Sequence, residues 1–562
     1  MKRLGMLLLA VMVVGYALPY NVDLRDPEGP SPRPAGNLMM DRLMIDSIGD
    51  IRAIMGSQGK SIAVSGGGEA IAVMYGAPSG DPNNSMLPSV AYSLDGGATW
   101  TLYGPFGAAA RRMYNGVDGV ADFNATAGHL WFCFQENTQG YNDGKISVMI
   151  EENVPSAPSF SVPTILPNCE PPAMYPWEPD IVHDPDNSQN LVATAWSFLA
   201  NGNEWAYAWL SNDGGYTWTD TIPMAHITQD GACGNLAHGT GGYVVYTYQD
   251  YGNVGGTDST PVPYYIESTD GGQTWSAETR VPNVPANAGS QFWWHEIDCM
   301  VINDEPWFIH NDIGTPGGGP YVMKGTGSPG SWTWSVWDAG ILGTDSTVFG
   351  STLWQCVPSQ YPSLSYNPTN GMILASYKSN VLIGASHNGA HVQGIWTVDG
   401  GTNWGITDPL SEATTTIVWG DWSATEMAHH IVDDNGYGRT YTLWEDGTAL
   451  ILYFESELIT PWEDGVLGVN ENQSNLVGVY AFGVTPSVTT NNCRASFTMP
   501  SAGNIALKVY DVSGREVDNV FSGQASGEQE FNINTSQLSN GTYFVVLETE
   551  QGNAAHKIVT LH

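Results

Sequence analysis

The sequence predicts an all-β protein: a seven-bladed β-propeller, with six blades as the alternative, followed by a small C-terminal β-sandwich. Three observations predict it. A Gly-containing turn motif recurs between strand-like runs at a blade-sized spacing. The 562 residues are 42% hydrophobic and only 13% charged, with 66 Gly and 21 Trp, so a large core and many turns are available while charge-rich helical faces are not. The texture of the chain also changes after Pro461, where a separate set of strand-like runs begins.

The repeat is the firmest element. It reads Ser93-Leu-Asp-Gly-Gly-Ala-Thr-Trp100, Ser211-Asn-Asp-Gly-Gly-Tyr-Thr-Trp218, Ser268-Thr-Asp-Gly-Gly-Gln-Thr-Trp275 and Thr397-Val-Asp-Gly-Gly-Thr-Asn-Trp404. Asp-Gly-Gly between strands is turn chemistry: the carboxylate bonds local backbone, the glycines take positive φ, and the Trp packs beneath. The starts are 118, 57 and 129 residues apart. Two gaps are about twice the third, so degenerate copies are expected near 152 and 332, at Val148–Ser159 and Gly327–Trp334. A last unit spans Met427–Leu458 and is one strand short; the segment around Asn37–Ile54 is expected to supply that strand and close the ring. Asp95, Asp213, Asp270 and Asp399 are read as structural, in outer turns.

These motifs are Asp boxes, and the chain resembles the Asp-box propellers of the sialidase superfamily, which also contains glucan hydrolases and non-catalytic receptors. The C-terminal runs Ala495–Thr498, Ile505–Tyr510, Glu528–Ile533, Gly541–Glu548 and His556–Leu561, with Ile505–Arg515 and Leu538–Val545, resemble the type A sorting domain of type IX secretion. That resemblance implies a β-sandwich handled by the type IX secretion machinery, with release or anchoring at the cell surface. The family's Pro-Asn-Pro opening is reduced here to Thr485-Pro486.

The N-terminus agrees with export. Lys2 and Arg3 precede the apolar run Leu4–Leu18, the layout of a signal peptide, with cleavage expected near Ala17–Tyr20. The expected order is therefore signal peptide 1–19, N-terminal linker 20–36, propeller 37–460, linker 461–478 and sorting-type domain 479–562. No later stretch is apolar and long enough to span a bilayer, so the mature chain is expected to lack a transmembrane segment. With 18 Lys and Arg against 57 Asp and Glu, the formal charge is -39, which excludes nucleic acid as a partner. Cys133, Cys169, Cys233, Cys299, Cys356 and Cys493 show no Cys-x-x-Cys pair, which argues against zinc, and their pairing is not legible.

Chemistry is expected where each unit leads into its innermost strand, because those strands converge on the propeller axis. Aligning the units brings Arg111, Arg112 and Tyr114 into register with Tyr175, Trp177 and Glu178, with Trp293, Trp294, His295 and Glu296, with Tyr361, and with Trp419, Asp421, Trp422 and Glu426. Aromatic rings suit the apolar faces of sugars, and carboxylates accept hydroxyl hydrogen bonds. Glu178, Glu296, Asp421 and Glu426 are the candidate catalytic carboxylates; a pair roughly 5–10 Å apart would favour glycoside cleavage, whereas carboxylates tied to backbone donors would favour binding or structure. The competing reading is that these residues only fill gaps between blades.

The sialidase resemblance implies three arginines for an acidic sugar, a Tyr–Glu nucleophile pair and an Asp acid. Arg111 or Arg112 and Arg439 are candidates for the centre, but no third arginine joins them and Arg280 directly follows a box. The expected function is accordingly a secreted or surface propeller that holds extracellular glycan or polymer, with a non-sialidase glycoside hydrolase as the alternative and a sialidase or structural surface protein after that. No cofactor is expected; Ca²⁺ is open at Asp184-Pro-Asp186-Asn187 and Asp433-Asp434-Asn435, whose oxygens suit that ion.

Overall fold

In a computed structural model, the described residues are 40–49, 54, 61–81, 85–110, 114–121, 123, 128–137, 144–152, 158–170, 174–198, 204–227, 234–250, 262–284, 297–310, 320–339, 360–383, 386–407, 410, 425–434, 437–446, 450–459, 480–485, 488–489, 491–511, 515–539, 541–549 and 552–560. The segment Met1–Leu38, with the expected signal peptide, lies outside the described residues. So does the expected linker 461–478.

Among the described residues, seven antiparallel sheets follow one another along the chain before residue 460, six of four strands and a last one of five. Their innermost strands begin at Ile62–Val64, Asn115–Gly119, Tyr175–Asp184, Asn235–His238, Ile297–Ile302, Gln360–Tyr366 and Thr425–Met427, and each touches the next. The ring closes as expected: Met40–Ser47 pairs with Ile451–Ile459 and so becomes the outer strand of the seventh sheet. The four Asp boxes join the third and fourth strands of sheets one, three, four and six, and the two degenerate copies fall at the same link in sheets two and five.

Each box is held by its own side chains. Gly97 N donates to Ser93 Oγ at 2.8 Å, and Thr99 N donates to Asp95 Oδ1 at 2.8 Å. The box in sheet six repeats this with Thr397 and Asn403 in the Ser and Thr places. Asp213 illustrates the electrostatics: burial pushes its carboxyl up, but hydrogen bonds from Thr217 and Ser211 outweigh this and hold it below its usual value. In sheet five the degenerate turn is tied instead to its neighbour, with Gly330 N and Trp332 Nε1 donating to the Glu267 carboxylate.

Buried and part-buried polar groups stitch the sheets into a ring, and all seven junctions carry such a bond. Ser61 Oγ donates to Asn115 Oδ1, His183 N to Asp118 Oδ2 and Leu236 N to Asp180 Oδ2. Cys299 Sγ donates to Asn235 Oδ1, Leu364 N to Asp298 Oδ2, Ser365 Oγ to the Ala428 carbonyl and Ile54 N to Glu445 Oε1. Each satisfies a group that burial would otherwise penalise by about 1–3 kcal/mol.

The C-terminal sheet has six strands. Two expected strands, Ala495–Thr498 and Ile505–Tyr510, are one long strand, Asn492–Asp511, because its partner Glu516–Asn534 runs alongside both halves. The intervening Pro500, Gly503 and Asn504 are absorbed as a register shift between Met499 and Gly503 rather than as a turn. Val484, Phe497, Leu507, Val545 and Ile558 share one core. Cys133, Cys169, Cys299 and Cys493 are buried free thiols; Cys233 and Cys356 lie outside the described residues.

Candidate functional site

The rim before the innermost strands is best defined in sheet three. Trp177 pairs with Trp196 and Asp180 with Thr194, so Glu178-Pro179 forms a bulge in the strand. Glu178 has φ 45°, a left-handed conformation that strains a non-glycine residue and recurs at functional sites. Its side chain is buried, and Trp196 Nε1 donates to Glu178 Oε2 at 2.9 Å. Trp196 stacks on Trp177 with centroids 6.0 Å apart, and Tyr114 of sheet two lies 5.7 Å from Trp177. Tyr114 and Trp177 are buried, so these two rings form the wall behind the rim, while Tyr175 is half-buried at its edge.

Sheet six repeats the bulge. Gln360 pairs with Lys378 and Ser363 with Ser376, leaving Tyr361-Pro362 as the extra residues, at the place Glu178-Pro179 takes in sheet three. Directly after the bulges come Asp180 and Ser363, both buried. Asp180 and Asp298 therefore serve backbone donors: each takes one amide from its own strand and one from the next sheet.

Arg111, Arg112, Trp293, Trp294, His295, Glu296, Trp419, Asp421 and Trp422 lie outside the described residues, as do the side chains of Tyr361 and Glu426. Glu426 sits on the inner strand of sheet seven, where it pairs with Leu443. Asp95, Asp213, Asp270 and Asp399 are in the outer turns, each bonded within its box.

Sequence reasoning missed three rim groups. Trp196 anchors Glu178, and Gln249 Nε2 meets His310 Nδ1, both residues buried. His310 pairs with Ile297, directly after Glu296. All three sit at the ends of second strands, opposite the rim motifs; only the pairing register could have found them.

The calcium possibility meets occupied oxygens. Asp184 accepts Asp186 N and Asn190 Nδ2, Asp186 accepts Gly241 N, and Asp434 accepts Arg439 Nε at 3.0 Å. Among the described residues no group of three or more His, Cys, Asp or Glu is placed to hold a metal.

Residues 486–561 match the family model of a secretion system C-terminal sorting domain. This domain indicates secretion or cell-surface attachment, and it implies handling by the type IX secretion machinery. No helix among the described residues is long and apolar enough to cross a membrane. No curated protein matches the chain in sequence.

Among solved structures, an α-L-arabinanase from Penicillium chrysogenum is 13% identical, with 63% of this chain and 98% of that one covered at a TM-score of 0.41. A Trypanosoma rangeli sialidase is 10% identical, with 92% and 88% covered at a TM-score of 0.40. An α-L-arabinofuranosidase from Fusarium graminearum is 13% identical, with 60% and 92% covered at a TM-score of 0.38.

Proposed function

We propose that this exported propeller binds an extracellular glycan or polymer at the rim of its central face. The observation that carries the proposal is the Glu178 bulge: a strained, indole-anchored carboxylate backed by the Tyr114–Trp177–Trp196 wall. A fixed carboxylate accepts sugar hydroxyls, and aromatic rings at the same rim stack on their apolar faces. Tyr175, Trp293, Trp294, Tyr361, Trp419 and Trp422 are the ring donors assigned to the ligand, with Arg111, Arg112 and His295 as its polar contacts. Asp180 and Asp298 are committed to amides, which supports holding over turnover.

The second reading is a non-sialidase glycoside hydrolase with its carboxylate pair among Glu178, Glu296, Asp421 and Glu426. Backbone strain at Glu178 favours it, since strain is retained where geometry serves chemistry. A glycan array with the full chain, followed by reducing-end assays on each hit, separates the two. Binding without released sugar supports the first reading. Release that disappears in Glu178→Gln or Glu296→Gln establishes the second, and an array without any hit rejects both.

A further inference from the structure

Resting on the glycan-binding reading, we propose that Glu136 is a positioning residue of the rim: it fixes the lead-in of sheet two before any ligand arrives. The observation behind this is a clamp. Consecutive residues of one strand, Leu130–Asn137, hold both ends of that lead-in. Ala108 N donates to Glu136 Oε2 at 2.6 Å, and Gln135 N donates to the Tyr114 carbonyl at 2.9 Å. Arg111 and Arg112 lie between those two ends in the sequence.

Both ends are also held from their other side. Ala110 exchanges two backbone bonds with Met86 of sheet one, at 2.8 and 2.9 Å. Tyr114 is buried against Trp177. Gly107 has φ 72°, and a Cβ there would meet Glu136 Oε2 at 2.5 Å, so the chain passes the carboxylate more closely than a side chain permits. Glu136 is itself buried and locked: it also accepts Ser147 Oγ, and Lys145 Nζ lies 3.7 Å away. So buried an anion keeps its place only where donors of this kind replace water.

Two other sheets use the same part of the blade in the same way. Trp196, near the end of the second strand of sheet three, donates to Glu178 in that sheet's bulge. Glu445, near the end of the second strand of sheet seven, accepts Ile54 N from the segment leading to sheet one. The outer turns differ, since the four Asp boxes are each bonded within themselves. The rim is instead shaped by side chains 18, 28 and 391 positions away. An edge tethered in this way loses its freedom on folding rather than on binding, which preserves affinity for a ligand.

The test compares the full chain with Glu136→Gln and with Glu136→Asp, which keeps the charge but draws it back from Ala108. Asp213→Asn, in an Asp box, supplies a variant weakened elsewhere. Amide exchange of residues 104–110 is followed by mass spectrometry, and dissociation of a glycan-array hit by surface plasmon resonance. Both Glu136 variants are expected to speed exchange of that segment and release of the glycan by about tenfold, with the boxes unchanged. Asp213→Asn is expected to lower the melting temperature and alter neither. Unchanged exchange at 104–110, acceleration spread evenly over all sheets, or the same effects in Asp213→Asn overturn the clamp. Faster exchange with unchanged dissociation overturns the positioning role. A wild-type chain that binds no array member overturns the glycan-binding reading instead, and the exchange measurement still decides whether Glu136 holds the lead-in.

Discussion

His429 of the seventh sheet places Nε2 3.0 Å from both carboxylate oxygens of Asp298 in the fifth, although 131 positions separate them in sequence. Asp298 also accepts the amides of Cys299 and Leu364, each at 2.7 Å, so one buried side chain binds three sheets. Removing it in Asp298→Ala strands buried donors and is expected to cost about 3–5 kcal/mol. Asp298→Asn keeps one acceptor oxygen and should cost about half as much. Urea titrations of the two variants check this; equal losses would contradict the tethering role.

The two glycines of one Asp box are expected to differ. A Cβ on Gly97 would sit 2.2 Å from the Phe454 ring of sheet seven, at φ 91°. On Gly96, at φ 72°, the nearest atom is the Gly68 carbonyl oxygen, 3.5 Å away. Gly96→Ala should cost about 1 kcal/mol of backbone strain, whereas Gly97→Ala adds a clash at the ring closure and should cost about 3 kcal/mol. Thermal melts of both variants test the order.

Acid should loosen the boxes. The Asp213 carboxyl is held below its ordinary 3.8, so its ionised form binds more tightly in the fold than in the unfolded chain. That stability is fully present above 3.8 and is lost as pH falls through the lower folded value. Melting temperatures of wild type and Asp213→Asn should therefore differ at neutral pH and converge in acid. A gap that stays constant throughout would show that the carboxylate's charge is not what the box uses.

Trp196→Phe is expected to keep the stacking on Trp177 while removing the indole donor to Glu178. A buried hydrogen bond to a charged group contributes about 1.5–3 kcal/mol, and glycan binding should weaken alongside. Calorimetric titration with an array hit, run beside a melt, separates the two effects. Unchanged affinity would remove the anchored Glu178 from the binding site.

Deleting residues 486–562 should leave the chain inside a host that carries type IX secretion, as read by cell fractionation. Export of the truncated chain would refute the sorting role.

What was legible in the sequence was local. An Asp box encodes its own hydrogen bonds within five residues, as Ser93, Asp95, Gly97 and Thr99 show, so motif and spacing disclose both turn and blade order. The inter-sheet belt was not legible, because the partner of Asp180 is the amide of Leu236, 56 residues away, and any residue but proline supplies an amide. For the same reason Glu178 could be nominated but its anchor could not: Trp196 is set opposite it by strand register. In the C-terminal sheet, Pro500 and Gly503 resemble a turn, and only the length of the facing strand shows otherwise.

Met40–Ser47, the first described strand, completes the last sheet of the ring. During synthesis this strand emerges before every other described strand and has no place to dock until Ile451–Ile459 has been made. Among the described strands, the most distant pairing in the propeller is thus also the last that synthesis permits, and topology of this kind folds slowly. A chain interrupted anywhere between those strands holds an exposed edge ready to pair with another copy, so timely completion is a condition of solubility as much as of shape.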